Sequence, residues 1–459
     1  MHVLLSVVGL GCRTSPFTLS RILALSQSAN RNKIGLLGPY SFGNLGNAAL
    51  QKALVQQIDK YLPDSEIYGC YIDPQRGPGA HRVLTFPLNR DVPWDECLVK
   101  SFSRATSTLR KGRTNWAKRI PLVVTIYPGA RDFWRKCKDV KEELAFLLRC
   151  RRFLKDFRML IVGLGGVIDD TWNGPWGDPF SLFKWAVLAK ITGTPILFLS
   201  VGAEKIETTL GKFFLKKALA LARFRSYRDC ESKQKAEEMG VAGLNYVFPD
   251  LAFSLEIQDP PRPTAYRTAD RLVGVSPMAY CDPRVWPVKD IAAYRNYLET
   301  LSALVLWLVQ RRYKVVLFAT QIRMDQASVA ELKEMVLGHA SSGVGDWLSE
   351  ANVQTVDEFL SFASRLELVV SSRLHGVILP FLARTPALAI SHASKIDSLM
   401  ADMGLSEYCV GIRSTNLESL SRRILAIEAN QEILRDHIGR RVDERRAALK
   451  KQFDFVFRS

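Results

Sequence analysis

The chain has 459 residues, of which 47% are hydrophobic and 24% charged. That length exceeds one ordinary core and implies two or three domains, and the composition excludes a disordered or membrane-embedded chain. The formal charge of +17 leaves nucleic acid, an anionic membrane surface or acidic substrates as partners, beside a merely solvated surface. Nucleic acid ranks last, because no helix-turn-helix, zinc-finger or aromatic RNA-binding pattern occurs. The excess charge concentrates at residues 100–119, 131–158 and 435–451. The eight cysteines are scattered without a CxxC pair, so neither a zinc site nor a disulfide framework is expected, and a reducing cytoplasm fits best. No apolar run approaches the roughly 20 residues of a spanning helix.

In chain order, residues 3–10 (VLLSVVGL) lack a basic flank and read as a strand or a ragged start rather than a secretory signal. From Lys33 onward, apolar strand-like runs alternate with amphipathic helical ones. Strands are expected at 34–37 (IGLL), 67–72 (IYGCYI), 122–126 (LVVTI), 160–162 (LIV) and 196–200 (ILFLS), with helices at 48–61, 180–192 and 208–223 between them. Continuous apolar strands separated by helices predict a parallel sheet covered on both faces, a doubly wound domain over 31–257. The proline-rich stretch 257–264 (IQDPPRPT) predicts a linker, set at 258–270. The alternation then restarts at 272–276, 315–318, 368–371 and 387–390, which predicts a second Rossmann-like domain over 271–415. A basic, helical segment, 416–459, closes the chain. It packs across the domains or lies on an anionic surface, packing being the safer expectation. The fold class is therefore α/β, with two doubly wound Rossmann-like domains, glycosyltransferase-B-like, and a cleft between them. Ligands in open sheets lie beyond the carboxyl ends of the strands, so strand-end motifs are expected to line that cleft.

Several such motifs are chemically suggestive. Residues 371–376 (SSRLHG) join a buried strand to a helix. Arg373 offers a planar fork for a phosphate or carboxylate, and His375 a group that moves protons near neutral pH. The alternative is that Arg373 pairs with a neighbouring acid and His375 caps the helix. Residues 38–47 (GPYSFGNLGN) precede a helix, and their glycines would let backbone N–H groups approach an anion; alternatively they form a tight turn capped by Asn47. Residues 163–170 (GLGGVIDD) form either a close strand-to-helix turn or a cleft wall with Asp169 or Asp170 facing substrate hydroxyls. Arg228, within 226–232 (SYRDCES), points from a strand end; Asp250 lies in a buried turn, 248–253 (FPDLAF); and 391–395 (SHASK) ends a strand and starts a helix, with His392 and Lys395 as ordinary polar surface or site groups.

In this order the pieces resemble the polysaccharide pyruvyltransferase family: 43–46 (GNLG), 163–166 (GLGG) with its Asp, 228–232 (RDCES), 249–253 (PDLAF), 372–376 (SRLHG) and 391–395, over roughly 34 to 405. The resemblance implies two domains of the glycosyltransferase-B type and transfer of an enolpyruvyl-derived group from phosphoenolpyruvate to a sugar, as a cyclic ketal. For that reaction the residues expected to carry catalysis are Arg373 and Arg228 as a clamp on the donor, His375 as the acid, and Asp169 or Asp170 as the base. Gly43, Asn44, Gly46, Asn47, Gly165, Gly166, Asp250, Ser372 and Lys395 are then expected to bind substrate, with no metal or cofactor. The sugar would belong to a polysaccharide or a lipid-linked oligosaccharide precursor, in the cytoplasm or at the inner face of the membrane. Asn47 departs from the family, which usually places an acid there. The rival expectations are a nucleotide-sugar glycosyltransferase of like architecture and a non-catalytic relative that keeps the cleft.

Overall fold

In the computed structural model, the described residues are 32–40, 43–71, 83–88, 128–257, 271–340 and 343–458. The expected strand at 122–126, the linker at 258–270, the basic run at 100–119 and the opening at 3–10 lie outside them. β1 (Lys33–Tyr40), β2 (Glu66–Tyr71), β3 (Val83–Pro87), β4 (Phe157–Val162), β5 (Ile196–Val201), β6 (Phe224–Tyr227) and β7 (Tyr246–Val247) form one sheet in the order β3-β2-β1-β4-β5-β6-β7. β8 (Arg271–Ser276), β9 (Tyr313–Leu317), β10 (Leu348–Glu350), β11 (Leu368–Ser371), β12 (Ala387–Ser391) and β13 (Cys409–Gly411) form a second, β10-β9-β8-β11-β12-β13. Every pairing in both sheets is parallel. Each is a doubly wound sheet whose order reverses at its middle, between β1 and β4 and between β8 and β11. Every residue of β5, β11 and β12 is buried, as expected of parallel strands with helices on both faces.

On the first sheet, α1 (Leu45–Tyr61) covers one face, and α2 (Pro128–Leu154), α3 (Asp178–Thr192) and α4 (Thr209–Leu221) cover the other, each face with its own apolar core. The helix α5 (Cys230–Glu238) follows β6. On the second sheet lie α6 (Ile291–Gln310), α7 (Ile322–His339), α8 (Val356–Ala363), α9 (Leu374–Leu382), α10 (Ser394–Met403) and α11 (Leu417–Ala429). The core around α1 is continuous with the core of the second sheet.

The last helix, α12 (Gln431–Arg458), spans both domains. Near its start Arg435 donates to the Leu366 carbonyl of the second domain (3.1 Å). Near its end Phe453 and Phe457 pack on Tyr61 at 6.4 and 5.6 Å. Gln452, fully buried, accepts the Ser226 hydroxyl at 2.7 Å. Buried aromatic rings stabilise by about 1.5–3 kcal/mol each, so the apolar stripe of this basic helix is committed to holding the two domains together.

One turn departs from regular geometry in a way that shapes the cleft. Ser200, at the end of β5, has φ of +48°, which costs about 1–3 kcal/mol in a non-glycine residue unless its surroundings enforce it. The Ser226 hydroxyl accepts its N–H at 2.8 Å, and the β5–β6 register shifts there. The distortion turns the chain so that Gly202, Ala203 and Glu204 follow at the carboxyl edge of the sheet.

Candidate active site

The carboxyl ends of the two sheets face each other, and the strand-end motifs meet there. In the first loop, Gly43 takes φ of +81°, a conformation that glycine adopts without steric cost. Its carbonyl accepts the Ile322 N–H at 2.6 Å, the Leu45 N–H donates to the Thr320 carbonyl at 2.9 Å, and Asn44 bridges Gln321. The loop is thus stitched to the second domain by its backbone. The cap of α1 is Asn44, whose Oδ1 accepts the Asn47 N–H at 3.2 Å. The expectation that Asn47 caps the helix is corrected: Asn47 is the third helical residue, whose N–H needs a partner.

Two glycines mark where side chains crowd the cleft, and a third faces a side chain at ordinary distance. A Cβ on Gly46 would collide with Nδ1 of His375, and one on Gly166 would stand 2.6 Å from Oε1 of Glu204. Gly165, with φ of +63°, faces the Asn47 side chain, whose Oδ1 would lie 3.6 Å from its Cβ. The first two loops and the SRLHG segment therefore converge on one place.

Arg373 sits at the N-cap of α9 with its guanidinium turned to Asp325, on the first turn of α7. Nε donates to Oδ2 at 2.9 Å and Nη2 to Oδ1 at 2.5 Å; Asp325 is fully buried and also accepts the Ala279 N–H at 3.1 Å. The pairing with an acid, held open as the alternative to anion binding, is what forms. Nη1 has no partner among the described residues, and the guanidinium lies 5.7 Å over the Trp286 ring. Ser372 is fully buried, its hydroxyl 2.8 Å from that of Tyr297; it braces the turn instead of facing a ligand.

His375 is the second residue of α9, with 14% of its side chain exposed. Its Nε2 is buried without a hydrogen bond among the described residues, 3.6 Å from Oδ1 of Asp250, a contact longer than a hydrogen bond. Asp250 caps a short 3-10 helix (Leu251–Ser254), accepting the Ala252 N–H at 3.0 Å, and its Oδ2 is also unpartnered. Burial pushes the Asp250 pKa up, but the imidazole of His375, with Arg228, outweighs it and the net shift is downward.

The cations of the two domains gather beside this pair. Lys395, on the first turn of α10, donates to Oε1 of Glu204 across the cleft at 2.7 Å. Arg228 follows β6 and is buried; its Nε lies 3.4 Å from Asp229, and its Nη2, 3.7 Å from Glu204, has no hydrogen-bond partner among the described residues. Burial lowers the Lys395 pKa, aided by Arg228 and Arg373 and opposed by Glu204. Burial would raise Glu204, but Lys395 and Arg228 hold it at about 2. His392 is half-buried, not surface polar; its Nδ1 lies 2.9 Å from the Ser372 carbonyl and so carries the proton. Burial, then Lys395 and Arg373, push its pKa down to about 3.

The paired acids have different fates. Asp170 accepts the Glu207 N–H (2.8 Å), the Thr208 N–H (2.9 Å) and the Thr208 hydroxyl (2.6 Å). Burial raises its pKa, but these bonds prevail and lower it. Its oxygens secure the entry to α4, which corrects the expectation that it faces substrate. Among the described residues Asp169 accepts only from Thr171, at 2.9 Å from N–H and 2.6 Å from the hydroxyl, and burial raises its pKa. Asp178, at the start of α3, is pushed up to about 6 by burial and by Asp169.

Glu204, Asp325, Asp178 and Trp286 were not singled out from the sequence. Glu204 could have been found by the strand-end rule, since it follows β5. Trp286 meets Trp172 of the first domain edge-on at 5.5 Å, which closes one side of the cleft with two indoles. No group of three His, Cys, Asp or Glu side chains suited to a metal occurs among the described residues. A cavity of about 650 Å³ lined by Asp282, Arg284, Tyr294 and Glu331, among others, contains none of these site residues.

Comparison with solved structures bears out the architecture. The chain superposes on a UDP-GlcNAc 2-epimerase from Neisseria meningitidis bound to UDP-GlcNAc with a TM-score of 0.54 and 9% identity, covering 93% of this chain and 100% of that one. It superposes on MnaA from S. aureus in complex with UDP with a TM-score of 0.50 and 10% identity, covering 88% and 90%. At such identity the likeness is one of fold, the two-domain arrangement of glycosyltransferase-B-like enzymes. No curated protein matches the sequence. The polysaccharide pyruvyl transferase model matches residues 44–394, which include Asn44, Arg228, Asp250, Arg373, His375 and all but the last residue of the 391–395 segment. The chain belongs to the polysaccharide pyruvyl transferase family.

Proposed function

We propose that the protein transfers a pyruvyl group from phosphoenolpyruvate to a sugar of a polysaccharide or its lipid-linked precursor and closes it into a cyclic ketal. The observation that carries this is the pair of cations from the two domains, Arg228 and Lys395, on one acid, Glu204, with the Arg228 Nη2 buried and unpartnered among the described residues and Arg373 held nearby by Asp325. A donor with a phosphate and a carboxylate supplies the anions that such a cluster lacks. In this reading Lys395 and Arg228 hold one anionic end, and the Nη1 edge of Arg373, oriented by Asp325, holds the other.

His375 delivers a proton to the methylene carbon of the donor, with Asp250 steadying the imidazolium that must form first. Its Nε2 faces Asp250, so the proton leaves from Nδ1, the nitrogen beside Gly46. C2 becomes cationic and a sugar hydroxyl attacks it, forming the first C–O bond and losing its proton to Asp169, whose raised pKa suits a base. The C2–O bond to phosphate then breaks, and a second hydroxyl attacks C2. Of the two hydroxyl protons released, one restores the imidazolium and one leaves with phosphate. Asn47 stands beside Gly165 and would orient the acceptor as a neutral group, where an acid is usual.

Thermal unfolding with ligand is the first test: phosphoenolpyruvate should raise the melting temperature and UDP-sugars should not. The reverse result would identify a nucleotide-sugar enzyme. Phosphate release with a panel of sugar acceptors then separates a transferase from a non-catalytic relative. The cysteines at 70, 150, 230, 281 and 409 are all free thiols, and we infer a cytoplasmic site of action.

A further inference from the structure

The helical layer formed by α2, α3 and α4 seals its inner side with Phe146, Trp185, Leu215 and their neighbours. Its outer side carries large apolar side chains in the open. Leu144 and Leu148 are exposed on α2, Ile191 on α3, and Leu210 and Phe213 on α4, with Phe213 47% exposed and Trp176, before α3, 64% exposed. Scattered single apolar residues are ordinary on a protein surface, but a clustered set on neighbouring helices marks an interaction face.

The charge around these residues is mostly positive. Lys141, Arg149, Arg151 and Arg152 are exposed on α2, and Lys212, Lys216 and Lys217 on α4, a helix with no acidic residue. Glu142 is the exposed acid among α2 residues 141–154, while the half-buried Glu143 is engaged by Lys184. Lys217 already folds over Phe213, 5.7 Å from the ring centroid. No helix among the described residues is long and apolar enough to cross a membrane.

We propose that this face docks on the surface of an anionic lipid bilayer. Leucine, phenylalanine and tryptophan would enter the boundary of the acyl chains, while the lysine and arginine stems lie along it and carry their charges to the headgroup phosphates. A nucleic acid would use the cations but not the aliphatic side chains between them, so lipid is favoured. The other basic helix, α12, is a poorer candidate, because most of its apolar residues are buried between the domains. The surface also reaches the cleft. Trp176 and Leu210 stand where α3 and α4 leave the carboxyl edge of the first sheet, the edge that carries Asp169 and Glu204. Docking would therefore bring the cleft mouth to the headgroups, where a lipid-carried acceptor presents its sugar. That last step rests on the pyruvyl-transfer reading; the docking does not.

The test is flotation of the purified full chain with phosphatidylcholine vesicles, with and without phosphatidylglycerol. Binding is expected only with phosphatidylglycerol and should weaken as salt rises. The triple variant Lys212→Gln, Lys216→Gln, Lys217→Gln should lower partitioning on the order of a hundredfold. The double variant Leu210→Ser, Phe213→Ser should lower it about tenfold or more. Both should melt like the parent, since the changed residues are exposed, and Lys450→Gln, Lys451→Gln on α12 should bind like the parent. Failure of the parent to float with phosphatidylglycerol, or undiminished binding by both α4 variants, would overturn the proposal. So would a dimer in solution that the Leu210→Ser, Phe213→Ser variant dissociates, because the face would then join two copies of the chain. Stabilisation by phosphoenolpyruvate, measured on the same samples, keeps failure of docking apart from failure of the donor reading.

Discussion

The two lips of the cleft are built differently. On the second domain the side chains around the SRLHG turn are satisfied from within, His375 excepted. Arg373 is held by Asp325, Ser372 by Tyr297, and His392 by the Ser372 carbonyl. On the first domain Arg228 has a donor without a partner, and Glu204 reaches across to Lys395. One lip is organised before any ligand arrives, and the other holds its charges in a provisional balance. Pre-organisation of this kind suits a group that must act at a fixed point, while a compensated cluster suits the capture of an anion that can replace the compensating acid.

The sharpest way to break the comparison is at the proton donor. His375→Ala should leave the melting temperature nearly unchanged and cut turnover by about two to four orders of magnitude, read as phosphate release from phosphoenolpyruvate. Near-normal turnover would remove the imidazole from the acid role. Next, Asp325→Ala should destabilise the protein by about 3–5 kcal/mol, because it leaves the Arg373 guanidinium partly buried and unpaired. Urea unfolding measures this, and a loss below about 1 kcal/mol would mean that Arg373 turns freely to solvent and that the second lip is not braced as described. Gly46→Ala places a Cβ against the imidazole and should cost about 1–3 kcal/mol through overpacking, with turnover falling more than stability does. Retention of full activity in this variant would show that the imidazole has room to move.

The smallest effect is a slope with pH. His392 titrates near 3 in the fold against an ordinary 6.5. Its contribution to stability is present above 6.5 and is lost as pH falls toward 3, because the unfolded chain takes up the proton first. Glu204, at about 2 against an ordinary 4.5, adds a second loss as pH falls from 4.5 toward 2. Unfolding free energies measured at successive pH values should therefore decline from near 6.5 downward, and His392→Asn should flatten the first part of that decline. An unchanged slope in the variant would show that His392 is solvated and charged in the fold.

Much of this architecture was legible from local pattern. The apolar runs at 34–37, 160–162, 196–200 and 368–371 became central strands, because a strand buried on both faces must be apolar along its length. The glycines at 46 and 166 marked real close approaches, and those at 43 and 165 turns of positive φ. Short edge strands such as β7, β10 and β13, of 2, 3 and 3 residues, carry too little pattern to be read. The helix cap was placed three residues late because Asn44 and Asn47 are chemically alike, and backbone geometry alone separates them.

What the residues determined unaided was the alternation of strand and helix, the two doubly wound sheets, and the set of charged groups waiting at the strand ends. These follow from periodicity and from the limited backbone choices of glycine and proline, which act over a few residues. Tertiary structure decided which charge meets which. Arg373 finds its acid 48 residues away, and Glu204 its lysine 191 residues away. Coulomb pairing and burial depend on separation in space, which no local pattern encodes, and they turned Asp170 into a brace for a turn while leaving Arg228 with a hydrogen unshared.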